Sequence, residues 1–574
     1  MHGRKKESVS VQEAKKRSAK VKWYHNLMET IFEKRKNQEY DDEALSLTSE
    51  VLRNIPDINS LWNYRKEVLL HMKATLAEEE LHELVDRELK LTKDCLLAQP
   101  KSYGTWFQRC YVLDHISRAP NYEKELELCN YYLELDERNF HCWDYRRYVT
   151  DRHKVAPLKE LNYSTEKIEA NFSNYSAWHY RSKLLPLLYP DPNNHLPIEQ
   201  DKYVNEFSMV ESAVFTEPKD QSAWFYQRWL LGERTSPVQI ISAGVLPSGV
   251  TFVTFNQLVD LTSTSQIKVD SNVLMSWTSL NGASRSFIWL SSDKHSSKEL
   301  KLFIEGALIQ EITLNKEDVY VCENYTFYAP LNQDLSEEVK KQSNSIQTLI
   351  DMEPENKFAL LTSITLLQHL HPGSSDSNEI ILKRFDLLKT LDPLRLNYYK
   401  DSESKYKIET FIQTNPRANQ ITNLSSLQLT SIHHMHCFAH CKQVDLSNNP
   451  LTNNCLRHLT PLVACESLKL THCSLSSLHV FPHLPSLESL DVSHNAPNII
   501  LCVYFQSLKL THCSLSSLHV FPHLPSLESL DVSHNAIDHI EDSVFAKYEA
   551  CVQVILTGNP VSADMVVKHC TLVV

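Results

Sequence analysis

Along much of this chain the apolar residues return every three or four positions, the period of a half-buried helix, and one aromatic position recurs within that stripe. A tryptophan followed three residues later by arginine occurs four times, each copy shortly after a proline or asparagine. The copies are PDINSLWNYR with Trp62 and Arg65, PKSYGTWFQR with Trp106 and Arg109, ERNFHCWDYR with Trp143 and Arg146, and NFSNYSAWHYR with Trp178 and Arg181. A fifth, PKDQSAWFYQR, has Trp224 with Gln227 at the third position and Arg228 one further on; a sixth, PENKFALL, carries Phe358 in place of tryptophan. Trp-to-Trp spacings of 44, 37, 35 and 46 are the length of a two-helix repeat. Pro56, Pro100, Pro218 and Pro354 suit the first turn of a helix, where a missing N–H costs nothing, and nearby Asp or Asn can cap the free amides. The tryptophan then faces the neighbouring hairpin and can remove ~150–250 Å² from water. The arginine on the same side can stack on the ring or reach a carbonyl at the next helix end. Segments such as EKELELCNYYLELD, residues 123–136, provide the second helix of each pair. Residues 20–236 and again 335–416 read as one α-solenoid, preceded by a flexible basic N-terminus at residues 1–19.

Residues 237–334 follow a different pattern. Short runs rich in Val, Ile, Thr and Phe, such as VTFVTFNQLV, SQIKVDSNVLMSW and ELKLFIEGALIQEITL, are broken by Pro247, Gly249, Asn281 and Gly282. They predict an immunoglobulin-like β-sandwich inserted at a loop of the solenoid. From residue 417 to 574 the pattern is the leucine-rich repeat, with Asn449, Cys473, Asn495, Cys513, Asn535 and Asn559 at its turn position. Their spacings are 24, 22, 18, 22 and 24, and the short one falls where residues 467–496 recur unchanged as 507–536. The joint at 496–506 is expected to pack poorly. The fold class expected is therefore multidomain and mainly α: an α-α superhelix with an inserted β-sandwich and a C-terminal leucine-rich repeat domain.

Composition removes whole classes of function. Only 9 glycines occur in 574 residues, against ~7% in ordinary proteins, and none forms a phosphate-cradling pattern. No HExxH, GxSxG or CxxC motif is present, so a self-contained active site of a common type is not visible. A formal charge of −13 argues against nucleic acid as a partner. No run of 18 apolar residues predicts a transmembrane segment, and a cytoplasmic location is expected. The 14 cysteines lack paired spacing, and Cys110, Cys142 and Cys465 sit in apolar runs as reduced core thiols do.

The Trp-x-x-Arg repeats resemble those of protein prenyltransferase α subunits. The order of three modules, with strings such as PKSYGTW, ERNFHCWDYRR and NFSNYS followed by WHYR, is similar to the Rab geranylgeranyltransferase α subunits of animals, across nearly the whole chain. The resemblance implies a heterodimer whose β subunit holds a catalytic zinc and most of the isoprenoid pocket. It also implies geranylgeranyl diphosphate as donor, and as acceptors Rab GTPases presented by a Rab escort protein. By the family's NPKxYxxWHHR motif, a lysine near the isoprenyl diphosphate falls on Lys101 and a tyrosine near the acceptor peptide on Tyr103. His141, in the equivalent loop of the next repeat, is expected to face the same groove. Farnesyltransferase relatives follow that tyrosine with a glutamine that helps hold a CaaX carboxylate; here the residue is Gly104. A positioned ammonium stabilises charge on departing diphosphate, which gives Lys101 its expected role. His2, on the basic tail, could reach the partner's zinc as an extra ligand. The run HHMHCFAHC at 433–441 has metal-ligand residue types, but its irregular spacing within a leucine-rich repeat points to packing. Two alternatives remain: a non-enzymatic helical-repeat adaptor, and the α subunit shared by farnesyltransferase and type I geranylgeranyltransferase.

Overall fold

The computed structural model describes residues 11–192, 196–232, 237–261, 265–269, 273–274, 276–293, 298–304, 307–323, 325–327, 333–415, 417, 419–495, 506–518, 526–540, 544, 552–561 and 570–573. The chain divides into two compact units, the first comprising Met1–Pro192, Pro197–Lys202 and Ser212–Trp229, the second the remainder.

The first unit is built of helices α1 (Val11–Lys36), α2 (Asp42–Leu52), α3 (Asn59–Thr75), α4 (Glu78–Ala98), α5 (Tyr103–Tyr111), α6 (Tyr122–Leu135), α7 (Phe140–His153), α8 (Pro157–Ala170), α9 (Tyr175–Leu188) and, as far as Trp229, α11 (Gln221–Leu231), while α10 (Tyr203–Thr216) contributes only residues 212–216 to it. Residues 11–19, expected in the flexible N-terminus, are already helical. The prolines do not enter the first helical turn as expected. They lie in the turn before it, and their carbonyls serve as acceptors: Trp62 Nε1 donates to Pro56 O (2.7 Å), Trp106 to Pro100 O (2.9 Å) and Trp224 to Pro218 O (3.0 Å). Where proline is absent the same bond forms, from Trp143 to Glu137 O and from Trp178 to Phe172 O, both 2.8 Å. A buried indole N–H must find an acceptor, and the carbonyl six residues upstream supplies it in every copy.

The arginines neither stack on their own tryptophan nor stop at a carbonyl. Arg65 is buried against Glu88 of α4 through both carboxylate oxygens, Arg109 against Glu125 of α6 (2.5 and 2.8 Å) and Arg146 against Glu160 of α8 (2.7 and 2.8 Å). Each glutamate also accepts from the residue two past the next tryptophan: Glu88 from Gln108 Nε2 (2.9 Å), Glu125 from Tyr145 Oη (2.6 Å) and Glu160 from Tyr180 Oη (3.0 Å). The rings of Tyr145, Tyr180 and Tyr226 meanwhile touch Trp106, Trp143 and Trp178 at 5.1, 5.6 and 4.7 Å. One buried carboxylate thus ties three helices, and one aromatic residue ties consecutive repeats.

In the second unit, strands β1 (Ile240–Val245), β2 (Thr251–Val259), β3 (Ser265–Val269), β4 (Val273–Leu274), β5 (Thr278–Ser279), β6 (Ser286–Ser291), β7 (Glu299–Ile304), β8 (Ala307–Thr313) and β9 (Val319–Val321) form two antiparallel sheets, ordered β5-β6-β2-β1-β9 and β4-β3-β7-β8. Val253, Phe255 and Trp289 of one share a core with Ile267, Leu300 and Leu302 of the other. Gly249 and Gly282 lie at loop tips with φ of +82° and +72°, which glycine alone adopts freely. Helices α12 (Gln333–Met352), α13 (Lys357–Leu370), α14 (Ser375–Leu391) and α15 (Leu396–Thr414) follow. The tryptophan position of the sixth repeat is filled by Leu360 and not by Phe358: Asn356 caps α13, and four residues on, where Trp143 follows Asn139, stands buried Leu360, whereas Phe358 is partly exposed.

The chain ends in a parallel sheet of β10 (Ile421–Asn423), β11 (Gln443–Asp445), β12 (Ser467–Lys469), β13 (Ser489–Asp491), β14 (Ser507–Lys509), β15 (Ser529–Asp531), β16 (Val552–Ile555) and β17 (Cys570–Val573), paired in chain order. Val444, Leu468, Leu490, Leu508, Leu530 and Val554 lie opposite one another and point into the core. Turn-position asparagines satisfy the backbone where the chain turns. Asn495 accepts from Cys473 N (3.0 Å) and Leu475 N (2.9 Å) and donates to Leu470 O and Val492 O (both 2.8 Å), and Asn535 repeats the pattern one copy later. The short 18-residue interval preserves register, since Leu490 and Leu508 remain paired. Of the joint expected to pack poorly, 496–506, residues 496–505 lie outside the described residues.

Candidate functional site

Pro100 O accepts not only from Trp106 but from Asn139 Nδ2 of the next repeat at 3.1 Å. Asn139 is the N-cap of α7, its Oδ1 receiving His141 N (3.1 Å) and Cys142 N (3.4 Å). Ser102, N-cap of α5, accepts from Thr105 N. Two caps and one shared carbonyl therefore hold the starts of α5 and α7 together, with Lys101, Tyr103 and His141 on them.

Tyr103, the first residue of α5, is 71% exposed. Its ring meets His141 edge to face at 4.2 Å and lies 6.3 Å from Phe140, which itself sits 4.0 Å from His141. His141 is only 6% exposed. Burial holds its imidazole below the ordinary value against the upward pull of Asp144, and the charge of Lys101 adds to the lowering, so the ring is neutral at pH 7. Lys101 reaches outward, its side chain 64% exposed, with Asp136 Oδ2 3.4 Å from Nζ. Such an exposed pair is weak enough for a more highly charged anion to displace.

The row of exposed aromatics extends beyond the residues the sequence singled out. Phe107, one turn beyond Tyr103, is exposed beneath Lys66 Nζ, 4.5 Å from the ring centroid. Tyr175 begins α9 as Tyr103 begins α5 and Phe140 begins α7, and meets Phe225 at 6.3 Å. The available signal was positional: in three successive repeats the residue directly after the cap is aromatic. Gly104 is sterically determined, because a Cβ there would stand 2.9 Å from Trp62 Cδ1 and 3.0 Å from Asn59 Oδ1. A glutamine in its place would have to displace a buried indole.

Among the described residues, no group of three or more His, Cys, Asp or Glu is placed to hold a metal ion. His2 lies outside them. The 433–441 run packs: His436 is buried and stacks on Phe287 at 4.3 Å, its pKa pushed down to about 3 by burial, while Cys437 and Cys441 are pushed up to about 12 and about 11. No helix among the described residues is long and apolar enough to cross a membrane.

The protein prenyltransferase alpha subunit repeat matches at residues 41–72, 85–116, 122–153, 157–188 and 203–234. Human geranylgeranyl transferase type-2 subunit alpha is 35% identical over 529 residues, 86% of this chain and 91% of that one. The chain belongs to the geranylgeranyl transferase type-2 α-subunit family. As a prenyltransferase α subunit it is one component of a transferase, and the α5–α7 site lies within matched repeats. The namesake from Schizosaccharomyces pombe is 36% identical over 245 residues, 40% of this chain and 71% of its own. A solved structure titled as Candida albicans protein geranylgeranyltransferase-I complexed with GGPP shares 16% identity over 66% of this chain and 89% of its own, with a TM-score of 0.39. That likeness is too slight to carry an argument.

Proposed function

We propose that this α subunit pairs with a separate β subunit to transfer geranylgeranyl groups from geranylgeranyl diphosphate to C-terminal cysteines of Rab GTPases presented by an escort protein, in the cytoplasm. The observation that supports it best is the α5–α7 edge: one outward ammonium, Lys101, beside exposed Tyr103 and Phe140 and a buried neutral His141. An amphiphile with an anionic head and a polyprenyl tail needs both kinds of contact. Zinc on the β subunit would hold the acceptor cysteine as its thiolate, the nucleophile. Lys101 acts on the leaving diphosphate, whose charge grows as its bond to carbon breaks, and so stabilises the transition state more than the ground state. Tyr103, carried on His141, contacts the acceptor peptide. The space Gly104 leaves for Trp62 favours this reading over a CaaX-specific enzyme.

The modular reading is part of the same proposal: a solenoid at 20–236 and 335–416, an immunoglobulin-like sandwich at 237–334 and leucine-rich repeats from 417, with His2 as an added ligand to the partner's zinc. Two facing antiparallel sheets and an asparagine-stitched parallel sheet support the two β assignments. Coexpression with a β subunit, followed by Rab prenylation with and without escort protein, tests the function. Escort-dependent transfer is expected; a stable heterodimer that modifies CaaX peptides and not Rab would overturn it.

A further inference from the structure

Four imidazoles stand in one column along the edge of the C-terminal parallel sheet. His472 and His494 are stacked with centroids 4.0 Å apart and planes 12° from parallel, His494 and His512 at 4.5 Å and 11°, His512 and His534 at 4.6 Å and 10°. The backbone dictates the alignment. All four residues have φ between 53° and 58°, the left-handed region that histidine tolerates better than most L residues. Each N–H bonds the next repeat: His472 to Ser493 O, His494 to Thr511 O, His512 to Ser533 O and His534 to Thr557 O, at 2.8 to 3.2 Å. The same position holds Asn448 before the column and Gly558 after it, at φ of 59° and 76°. A Cβ on Gly558 would stand 2.4 Å from His534 Nδ1, so the glycine makes room for the last ring.

All four side chains are exposed, and none makes a hydrogen bond or ion pair among the described residues. Lysines and aspartates alternate on the strands three residues earlier, at Lys469, Asp491, Lys509 and Asp531, but Asp491 and Asp531 accept from Ser493 N and Ser533 N, both at 3.1 Å. Neutral imidazole with a free in-plane lone pair is a ligand for borderline transition metals.

We propose that the column is a binding strip for divalent transition metal ions of the zinc, nickel and copper class, each ion held by two adjacent histidines and completed by water. Three rings do not converge on one point, which limits each ion to a pair. Tetrahedral coordination at ~2.0–2.1 Å places two nitrogens about 3.3 Å apart, closer than the stack, so each ring turns about Cβ–Cγ toward its neighbour. The exact recurrence of residues 467–496 as 507–536 makes the pair the repeated element: His472 with His494, then His512 with His534. The strip accordingly takes two ions. It is independent of the prenyl-transfer reading and of any zinc on a β subunit.

The test titrates nickel at pH 7.5 into the zinc-loaded, untagged heterodimer and counts ions by calorimetry. Two bound nickel ions are expected in the wild type. His472→Gln with His494→Gln should lose one, and the quadruple glutamine variant both; His479→Gln, at an exposed histidine outside the column, should lose none. A wild type that binds no nickel, or a quadruple variant that binds as much as wild type, overturns the proposal. A second measurement needs no variant: nickel should protect the column histidines of the wild type from diethylpyrocarbonate, read by peptide mass with the two identical copies taken together. Modification unchanged by nickel would also overturn it.

Discussion

Glu125→Gln is the substitution whose effect can be worked most fully from the geometry. The native carboxylate accepts from Arg109 Nε and Nη2 at 2.5 and 2.8 Å and from Tyr145 Oη at 2.6 Å, and all three side chains are buried. Glutamine keeps the volume but replaces one acceptor with an amide that faces donors. The Arg109 guanidinium is left with Leu89 O (2.8 Å) and Thr92 Oγ1 (2.9 Å) and no counter-charge. Breaking a buried pair by removing one partner costs about 3–5 kcal/mol. Because Glu125 joins α5, α6 and α7, the loss should appear as easier opening of those helices while the C-terminal sheet is unaffected. At 1.4 kcal/mol per tenfold, amide protection in α5–α7 should fall by roughly a hundredfold to several thousandfold. Native-state hydrogen exchange on the full chain reads this directly, with β11 to β13 as internal reference. Lys383→Gln breaks the exposed Lys383–Glu379 pair and should change protection nowhere measurably. A triple replacement, Arg109→Met, Glu125→Leu and Tyr145→Phe, should recover most of the loss, since apolar isosteres escape the desolvation penalty. Protection in Glu125→Gln within threefold of wild type would refute the claim that this carboxylate locks the repeats.

Lys101→Ala should lower single-turnover prenylation by about tenfold, ~1.4 kcal/mol, with heterodimer assembly unchanged; equal rates would reduce Lys101 to a solvated loop residue. Gly104→Gln should destabilise the first unit by ~1–3 kcal/mol through overpacking against Trp62, visible as a lower melting temperature, and should confer no CaaX transfer; a stable variant that modifies CaaX peptides would contradict the steric reading. His436 binds its proton only near pH 3 when folded but near 6.5 when unfolded, so the stability it contributes is present above pH 6.5 and is lost as pH falls toward 3. His436→Phe should therefore show a shallower decline of C-terminal melting across that range, by up to ~1.4 kcal/mol per pH unit; parallel declines would show the ring is not the cause. Removal of residues 417–574 should leave kcat/KM for prenylation within about tenfold, since repeat modules contact mainly their neighbours; a larger loss would place the C-terminal sheet in substrate docking.

The sequence by itself determined the local grammar of this protein. Tryptophan on a 3.6-residue stripe, the β-rich interruption between the helices and the Asn or Cys at each turn of the C-terminal sheet are written in short-range periodicity, because each depends on neighbours within a turn or a strand. What it did not disclose are contacts whose separation varies from copy to copy. Arg65 meets Glu88, Arg109 meets Glu125 and Arg146 meets Glu160 at separations of 23, 16 and 14 residues, so no fixed motif could reveal them. Loop lengths set those intervals, and only packing of successive hairpins brings each carboxylate to its guanidinium. The candidate site divides the same way. Lys101 and Tyr103 were legible in PKSYGTW, but their meeting with Phe140 and His141 depends on Asn139 reaching back to Pro100 O across 39 residues. Gly104 was legible only as a missing side chain, and the indole that requires it belongs to another helix. The histidine column is the extreme case: it joins positions 22, 18 and 22 residues apart, an uneven spacing that parallel register converts into one straight stack of rings.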